Sequence, residues 1–230
     1  MPDIFNRVEK KYLLNEKQYK SLLNDLKKYM IEDDFGKYSI SNLYFDNDNF
    51  DLIRTSLEKP IYKEKLRLRS YGIPNDDSNS FLEIKKKYKG IVYKRRITLK
   101  LKDSLNYIDN NVCPTNQSQI FNEINYLKNF YNVYPRVYLS YDRIAFKGIE
   151  NPNFRLTFDT NITCRDYDLD LRLGSYGVQL LSNDSFLMEV KILGSIPLWF
   201  VELLSKNKIY PISFSKYGTY YKEYLMKENK

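Results

Sequence analysis

Apolar and polar residues alternate in eight segments of the chain, and this period of two limits the fold more than any other feature of the sequence. In one segment Lys65, Arg67 and Arg69 alternate with Leu66 and Leu68. Such a pattern is typical of β-strands that place one face on an apolar core. The predicted strands span residues 7–14, 38–45, 61–70, 80–88, 91–101, 136–146, 154–160 and 186–193.

Five helical stretches are expected between these strands. Asn15 is a predicted N-cap, and Pro197 suits the first turn of a helix. The helices are predicted to follow Asn15, to span 48–57 and 119–131, to begin at Pro197 and to follow Ser215. Lys89-Gly90 predicts a tight hairpin turn. We therefore expect one α+β domain over residues 1–230, an antiparallel eight-stranded β-barrel with helices packed outside.

The polar faces of the predicted strands carry mostly Lys and Arg, in a chain of formal net charge +8. A single strand of this kind could face water, but solvent faces usually mix the two signs of charge. A barrel closed with these faces inward would form a basic tunnel, which is unfavourable unless an anion neutralises it. Guanidinium groups match phosphate oxygens in geometry. The pattern therefore predicts a site for a nucleoside triphosphate or polyphosphate.

The chain contains no histidine, which excludes Ser-His-Asp and Cys-His catalysis and His-ligated zinc. Chemistry would then depend on carboxylates, Lys, Arg, hydroxyls and a metal held by oxygen ligands. Cys113 and Cys164 are the two cysteines, too few for a disulfide framework or a metal cluster. Because we find neither a signal-peptide pattern nor a membrane-spanning apolar run, we expect a cytoplasmic protein without a membrane segment.

Seven short motifs follow one another in the order of a known family. They are RVEKKY from residue 7, KLRLRSYG from 65, FLEIK from 81, YDR from 141, FRLTFDT from 154, LMEVK from 187 and FSKY from 214. Together they resemble the VTC domain, the catalytic domain of the vacuolar transporter chaperone complex. That domain belongs to the triphosphate tunnel metalloenzymes, the superfamily that includes CYTH proteins. The resemblance covers residues 6 to 218, nearly the whole chain.

The resemblance implies a polyphosphate polymerase that transfers the γ-phosphate of ATP to a growing polyphosphate chain with Mn²⁺ or Mg²⁺. The implied partners are ATP or another nucleoside triphosphate and inorganic polyphosphate, and no nucleic acid is expected. Glu189 matches the metal-binding carboxylate and Ser215 a tunnel hydroxyl. The positions that match phosphate-binding cations are Lys11, Arg67, Arg69, Lys85, Lys94, Arg143, Arg155 and Lys216. The alternation of side chains along the strands adds Arg96 and Glu83 to the candidate site residues, and it places Lys191 on the same face as Glu189.

Two positions depart from related proteins. Hydrolytic CYTH members carry a pattern similar to E-x-E-x-K in the first strand, and this chain has Arg7-x-Glu9-x-Lys11 there. This difference favours transfer over hydrolysis. Ser213 stands where some VTC domains carry a lysine. Since no SPX-like or transmembrane segment accompanies the motifs, coupling to membrane transport is not expected. Two alternatives stay open: a metal-dependent tri- or polyphosphatase on the same scaffold, and a non-catalytic module that binds polyphosphate or RNA.

Overall fold

A computed structural model of the chain describes residues 7–89, 91–114 and 118–226. The strands of this part are β1 (Arg7–Asn15), β2 (Met30–Asp46), β3 (Tyr62–Tyr71), β4 (Asn79–Tyr88), β5 (Ile91–Lys100), β6 (Tyr134–Gly148), β7 (Arg155–Arg165), β8 (Val178–Gln179), β9 (Ser185–Leu193) and β10 (Pro211–Ile212). The helices are α1 (Glu16–Leu26), α2 (Asp51–Glu58), α3 (Leu101–Asn110), α4 (Gln119–Phe130), α5 (Leu198–Lys206) and α6 (Lys216–Tyr220). A π-helical turn, Tyr221–Leu225, continues α6. None of the helices in these residues has the length and apolarity needed to cross a membrane.

The strands pair in the order β10-β1-β9-β7-β6-β2-β3-β4-β5, and β8 pairs with β7. The pairings of β1 with β10 and β9, of β7 with β8 and β9, and of β2 through β5 in turn are antiparallel, which confirms the predicted antiparallel sheet with helices. The sheet has ten strands rather than the predicted eight. Strands β8 and β10 were missed because two residues are too few to show a period of two. Within the described residues the order ends at β10 and β5, so the predicted closed barrel is not confirmed.

The chain divides into two compact units, and each is described by itself. Unit 1 comprises Met1–Tyr38, Tyr141–Ile162 and Leu181–Ser215. Unit 2 comprises Ser39–Ser140, Thr163–Leu180 and Lys216–Lys230. The expectation of a single domain over residues 1–230 stays a prediction.

Unit 1 buries alternate residues of β1, β7 and β9 against helices α1 and α5. Leu14, Phe158 and Val190 are at most 1% exposed in this core. Helix α1 begins after Asn15, whose side chain accepts a hydrogen bond from the Gln18 backbone N–H at 2.9 Å. The Gln18 side chain accepts one from the Asn15 backbone N–H at 3.1 Å. This capping box satisfies two free backbone donors and confirms the predicted N-cap.

In unit 2 the alternate apolar residues of β3 and β4 pack against helices α3 and α4. Leu68 and Leu82 are fully buried in this core together with Ile124 of α4. Helix α3 was not predicted, although Leu101 and Ile108 are spaced to lie on one helical face. The charged residues that alternate with them point away from this core, and they include most of the cations predicted for unit 2.

The hairpin between β4 and β5 closes with two residues, because Tyr88 pairs with Ile91. Lys89 has a positive φ of 46°, as the left-handed residues of such turns require. Gly90, the second residue of the predicted turn, lies outside the described residues. The turn fixes the register of the two strands, and with it the side chains that stand opposite one another across β4 and β5.

Candidate functional site

Strands β3, β4 and β5 of unit 2 share one positively charged face. Their register sets two neighbouring rows across the three strands, Lys65-Lys85-Lys94 and Arg67-Glu83-Arg96. The parity predicted from the sequence is therefore confirmed for these strands. Like charges directly opposite one another are unfavourable in a sheet. An anion bound over the lysine row would reduce that repulsion.

Glu83 is the carboxylate around which the second row is organised. Its side chain is 1% exposed, and Arg67 approaches Oε2 with Nε at 2.7 Å and Nη2 at 2.6 Å. Lys94 Nζ lies 2.8 Å from Oε1, and Arg69 and Arg96 each place a nitrogen at 4.0 Å. Burial raises the pKa of Glu83, but the cations outweigh it and bring the pKa to about 2. Glu83 is thus ionised at neutral pH, and we call it and these four cations the Glu83 cluster.

Hydrogen bonds that they donate to β2 orient the two arginines of β3. Arg69 Nε donates to Asn42 Oδ1 at 2.9 Å, and Arg67 Nη1 donates to the Tyr44 hydroxyl at 3.0 Å. Asn42 is fully buried and donates in turn to the Leu139 carbonyl at 3.0 Å. The guanidinium groups are therefore held in place before any ligand binds, which lowers the entropy lost on binding. Sequence reasoning missed Asn42 and Tyr44, although in β2 they alternate with Leu43 and Phe45.

Lys216 is the first residue of helix α6 in unit 2 and is buried. The next residue, Tyr217, donates a hydrogen bond from its hydroxyl to Asp46 Oδ2 at 3.0 Å. Asp46 is fully buried and also accepts from the backbone N–H groups of Leu52 and Ile53 at the start of α2. Burial raises the pKa of Asp46, and these donors oppose the rise. The Tyr217–Asp46 hydrogen bond thereby fixes the helix end that carries Lys216.

In unit 1 the predicted metal carboxylate, Glu189, lies among three cations. Lys11 Nζ and Lys191 Nζ are each 3.4 Å from its carboxylate, and Arg143 Nη2 is at 3.9 Å. Lys11 stands directly opposite Glu189 in the β1–β9 register and also donates to the Phe214 carbonyl at 2.9 Å. We call Glu189 and these three cations the Glu189 cluster. It brings together four of the residues predicted from the sequence.

Asp159 holds Arg143 in this cluster with two hydrogen bonds. Arg143 Nε donates to Oδ1 at 2.6 Å and Nη2 to Oδ2 at 2.8 Å, while Asp159 is fully buried. A bidentate pair of this kind fixes the plane of the guanidinium as well as its position. Asp159 was not predicted as a site residue, although it falls on the charged parity of β7.

Two other residues of unit 1 were also predicted for the site. Arg155 is exposed and faces Lys191 across the β7–β9 register. Ser215 is half-buried directly after Phe214, whose carbonyl Lys11 contacts. Their predicted contacts with a phosphate chain, like those of all the predicted residues, stay predictions.

A family model of the VTC domain matches residues 6–224. The chain belongs to the VTC domain family. The resemblance carried by the seven motifs is therefore confirmed. Among curated proteins, no significant match to the chain was found.

Three solved structures have the fold of this VTC domain. A proposed adenylate cyclase from Bacillus halodurans has a TM-score of 0.57 at 15% identity, and the match covers 91% of this chain and 95% of that protein. A proposed adenylyl cyclase from Hippeastrum, described as having a dominant triphosphatase activity, has a TM-score of 0.56 at 15% identity, with 94% and 95% covered. A proposed adenylate cyclase from Vibrio parahaemolyticus has a TM-score of 0.50 at 15% identity, with 94% and 97% covered. These neighbours show that the VTC domain has a CYTH-like fold.

Triphosphate tunnel enzymes generally depend on a divalent metal. We therefore ask whether this VTC domain has side chains that could bind one. The described part of the chain has no group of three or more His, Cys, Asp or Glu side chains that could hold an ion. Glu189 supplies one carboxylate. The Thr157 hydroxyl stands opposite Glu189 in the register, and it is buried without a hydrogen-bond partner among the described residues.

Such oxygen donors fit Mg²⁺ or Mn²⁺ when phosphate oxygens and water complete the coordination. Glu189 would hold the ion, which would neutralise charge on the phosphate oxygens that it contacts. The donors therefore fit a metal that is shared with the substrate, and they do not form a cage that holds a metal by protein ligands alone.

Proposed function

We propose that this VTC domain is a metal-dependent polyphosphate polymerase that transfers the γ-phosphate of ATP to inorganic polyphosphate. The observation that carries the proposal is that Glu83, the buried carboxylate of the Glu83 cluster, holds cations and is a poor base. Glu83 has a pKa of about 2, and Asp159 accepts two hydrogen bonds from Arg143. A reaction that needs no strong base suits such a site, because the end of a polyphosphate chain is already ionised at neutral pH.

In this reaction a terminal oxygen of the polyphosphate chain attacks the γ-phosphorus of ATP. The bond between that phosphorus and the oxygen bridging to the β-phosphate breaks, and ADP leaves with the electron pair. A new P–O–P linkage lengthens the chain by one phosphate. Catalysis of this step depends on positioning and on stabilising the charge of the phosphoryl oxygens.

The cations of each unit are suited to that task. In unit 2, Arg67 and Arg69 offer oriented guanidinium groups, and Lys94 adds a point charge. In unit 1, Lys11 and Arg143 lie beside Glu189, the proposed ligand of the metal. Guanidinium forks fit two phosphate oxygens at once, whereas lysine adapts to one.

The main alternative is a triphosphatase, the activity for which the Hippeastrum neighbour is described. Hydrolysis needs an attacking water that is oriented and deprotonated, whereas chain extension begins from an ionised phosphate. The weak basicity of Glu83 and the pairing of Asp159 with Arg143 both favour extension. A module that only binds polyphosphate is the third possibility, and the product assay below separates all three.

The test is to incubate the purified chain with ATP and Mn²⁺ and to separate the products by chain length on a gel. We expect a ladder of polyphosphate. Orthophosphate alone would overturn the polymerase in favour of the phosphatase, and no product at all would overturn catalysis. Glu189→Gln should abolish the ladder while tripolyphosphate binding persists. Glu202→Gln, the same change at an exposed position of α5, is the matched control and should leave the ladder unchanged.

A further inference from the structure

Beyond the cations proposed to bind phosphate, the charged face of β3–β5 becomes aromatic. Phe81 stands directly opposite Arg69 in the β3–β4 register, and Tyr71 is two residues further along β3. The two rings meet edge to face, with centroids 5.6 Å apart and planes at 77°. The guanidinium of Arg96 lies over the Phe81 ring, 4.7 Å from its centroid.

The hydrophobic core does not account for these rings. Neither Tyr71 nor Phe81 belongs to the buried cluster of unit 2, which is formed by the opposite parity of the same strands. Tyr71 is 46% exposed, and the Arg96 side chain is 50% exposed. Two aromatic rings and a planar cation thus present accessible flat surfaces on the face that carries the phosphate-binding arginines.

The distance between Arg69 and Tyr71 along β3 suits a nucleotide. Two residues of a β-strand advance about 7 Å, so Tyr71 lies one such step beyond Arg69. That step is comparable to the distance from the α-phosphate to the base in an extended nucleotide. A triphosphate on Arg67 and Arg69 would therefore direct its nucleoside toward Tyr71 and Phe81.

We propose that Tyr71, Phe81 and Arg96 form a platform on which the base of the nucleoside triphosphate stacks. This inference rests on the proposed function, since it assumes that Arg67 and Arg69 bind the phosphates. Aromatic rings and guanidinium planes stack on any base without reading its hydrogen-bonding edge. The platform therefore favours nucleotides over bare phosphate chains, and it discriminates little between ATP and GTP.

The test compares the binding of ATP and of inorganic tripolyphosphate by calorimetry in the whole chain. Tyr71→Ala should raise the Kd for ATP by roughly 5- to 100-fold, the effect typical of losing one stacking ring. The same change should leave the Kd for tripolyphosphate within about twofold, because that ligand has no base. Tyr71→Trp should restore ATP binding.

Tyr88→Ala is the matched control. Tyr88 is also 46% exposed and also meets a second tyrosine edge to face, at the opposite end of the same strands. It should change neither Kd. An unchanged ATP affinity in Tyr71→Ala, or an equal loss for both ligands, would overturn the platform while leaving the proposed function intact. If the unaltered chain bound neither ligand, the proposed function would fall, and the platform with it.

Discussion

Replacing Glu83 with glutamine removes the one carboxylate that four cations of unit 2 surround. The lowering of its pKa from 4.5 to about 2 corresponds to about 3 kcal/mol of stability for the folded state with ionised Glu83. Since the folded pKa is the lower one, this contribution is present at neutral pH and is lost as the pH falls from 4.5 toward 2. At about 2–4 °C per kcal/mol for a chain of this size, Glu83→Gln should lower Tm by roughly 6–12 °C at pH 7.

A polyanion should reverse most of this loss. In the variant, Arg67, Arg69, Lys94 and Arg96 repel one another without a counter-charge, so tripolyphosphate should stabilise it more than it stabilises the unaltered chain. The assay is thermal unfolding of both proteins with increasing tripolyphosphate. Glu123→Gln is the control, because Glu123 pairs with Lys86 and Arg95 outside the Glu83 cluster.

Glu123→Gln should lower Tm by less than Glu83→Gln does. Tripolyphosphate should raise its Tm no more than it raises that of the unaltered chain. The Glu123 side chain is 24% exposed, so water already weakens its ion pairs. If tripolyphosphate raised the Tm of Glu83→Gln and of the unaltered chain by the same amount, Glu83 would not be the internal counter-charge of a phosphate-binding face.

Two further predictions concern single cations. Partial burial lowers the pKa of Lys94 to about 8, so tripolyphosphate affinity should fall by up to about tenfold per pH unit above that value. Lys94→Arg should remove this decline, and a decline that persisted would place the titration elsewhere. Tyr217→Phe deletes the hydrogen bond to Asp46 and should weaken tripolyphosphate binding severalfold by releasing Lys216. Tyr220→Phe, in the same helix, should cost stability without altering affinity, and equal losses of affinity in both variants would refute a positioning role for Tyr217.

The charged parity of the strands could be predicted from the sequence, but the partners across the strands could not. Alternation alone places Arg67 on one face of β3 and Glu83 on one face of β4. That they stand opposite one another depends on the register, which a shift of two residues would change without altering either face. The sequence therefore predicted on which face each residue of the Glu83 cluster lies, but it did not predict which of them contact one another.

Asn42 and Asp159 are two buried polar residues of the site that sequence reasoning missed. Asn42 and Asp159 carry no pattern that distinguishes a structural hydrogen bond from a solvated polar side chain. Their roles depend on Arg69 and Arg143, which reach them from other strands. Helix α3 was missed for a different reason, since its apolar spacing is present in the sequence but directly follows a predicted strand.

The two units solve the same physical problem in the same way. A face crowded with cations is unfavourable without a ligand, and burying the cations would make it more so. Unit 2 places ionised Glu83 under Arg67, and unit 1 places fully buried Asp159 under Arg143. Each carboxylate binds one side of its guanidinium and so fixes the orientation of that group. The fold is thereby stabilised without a ligand, while the guanidinium groups stay oriented.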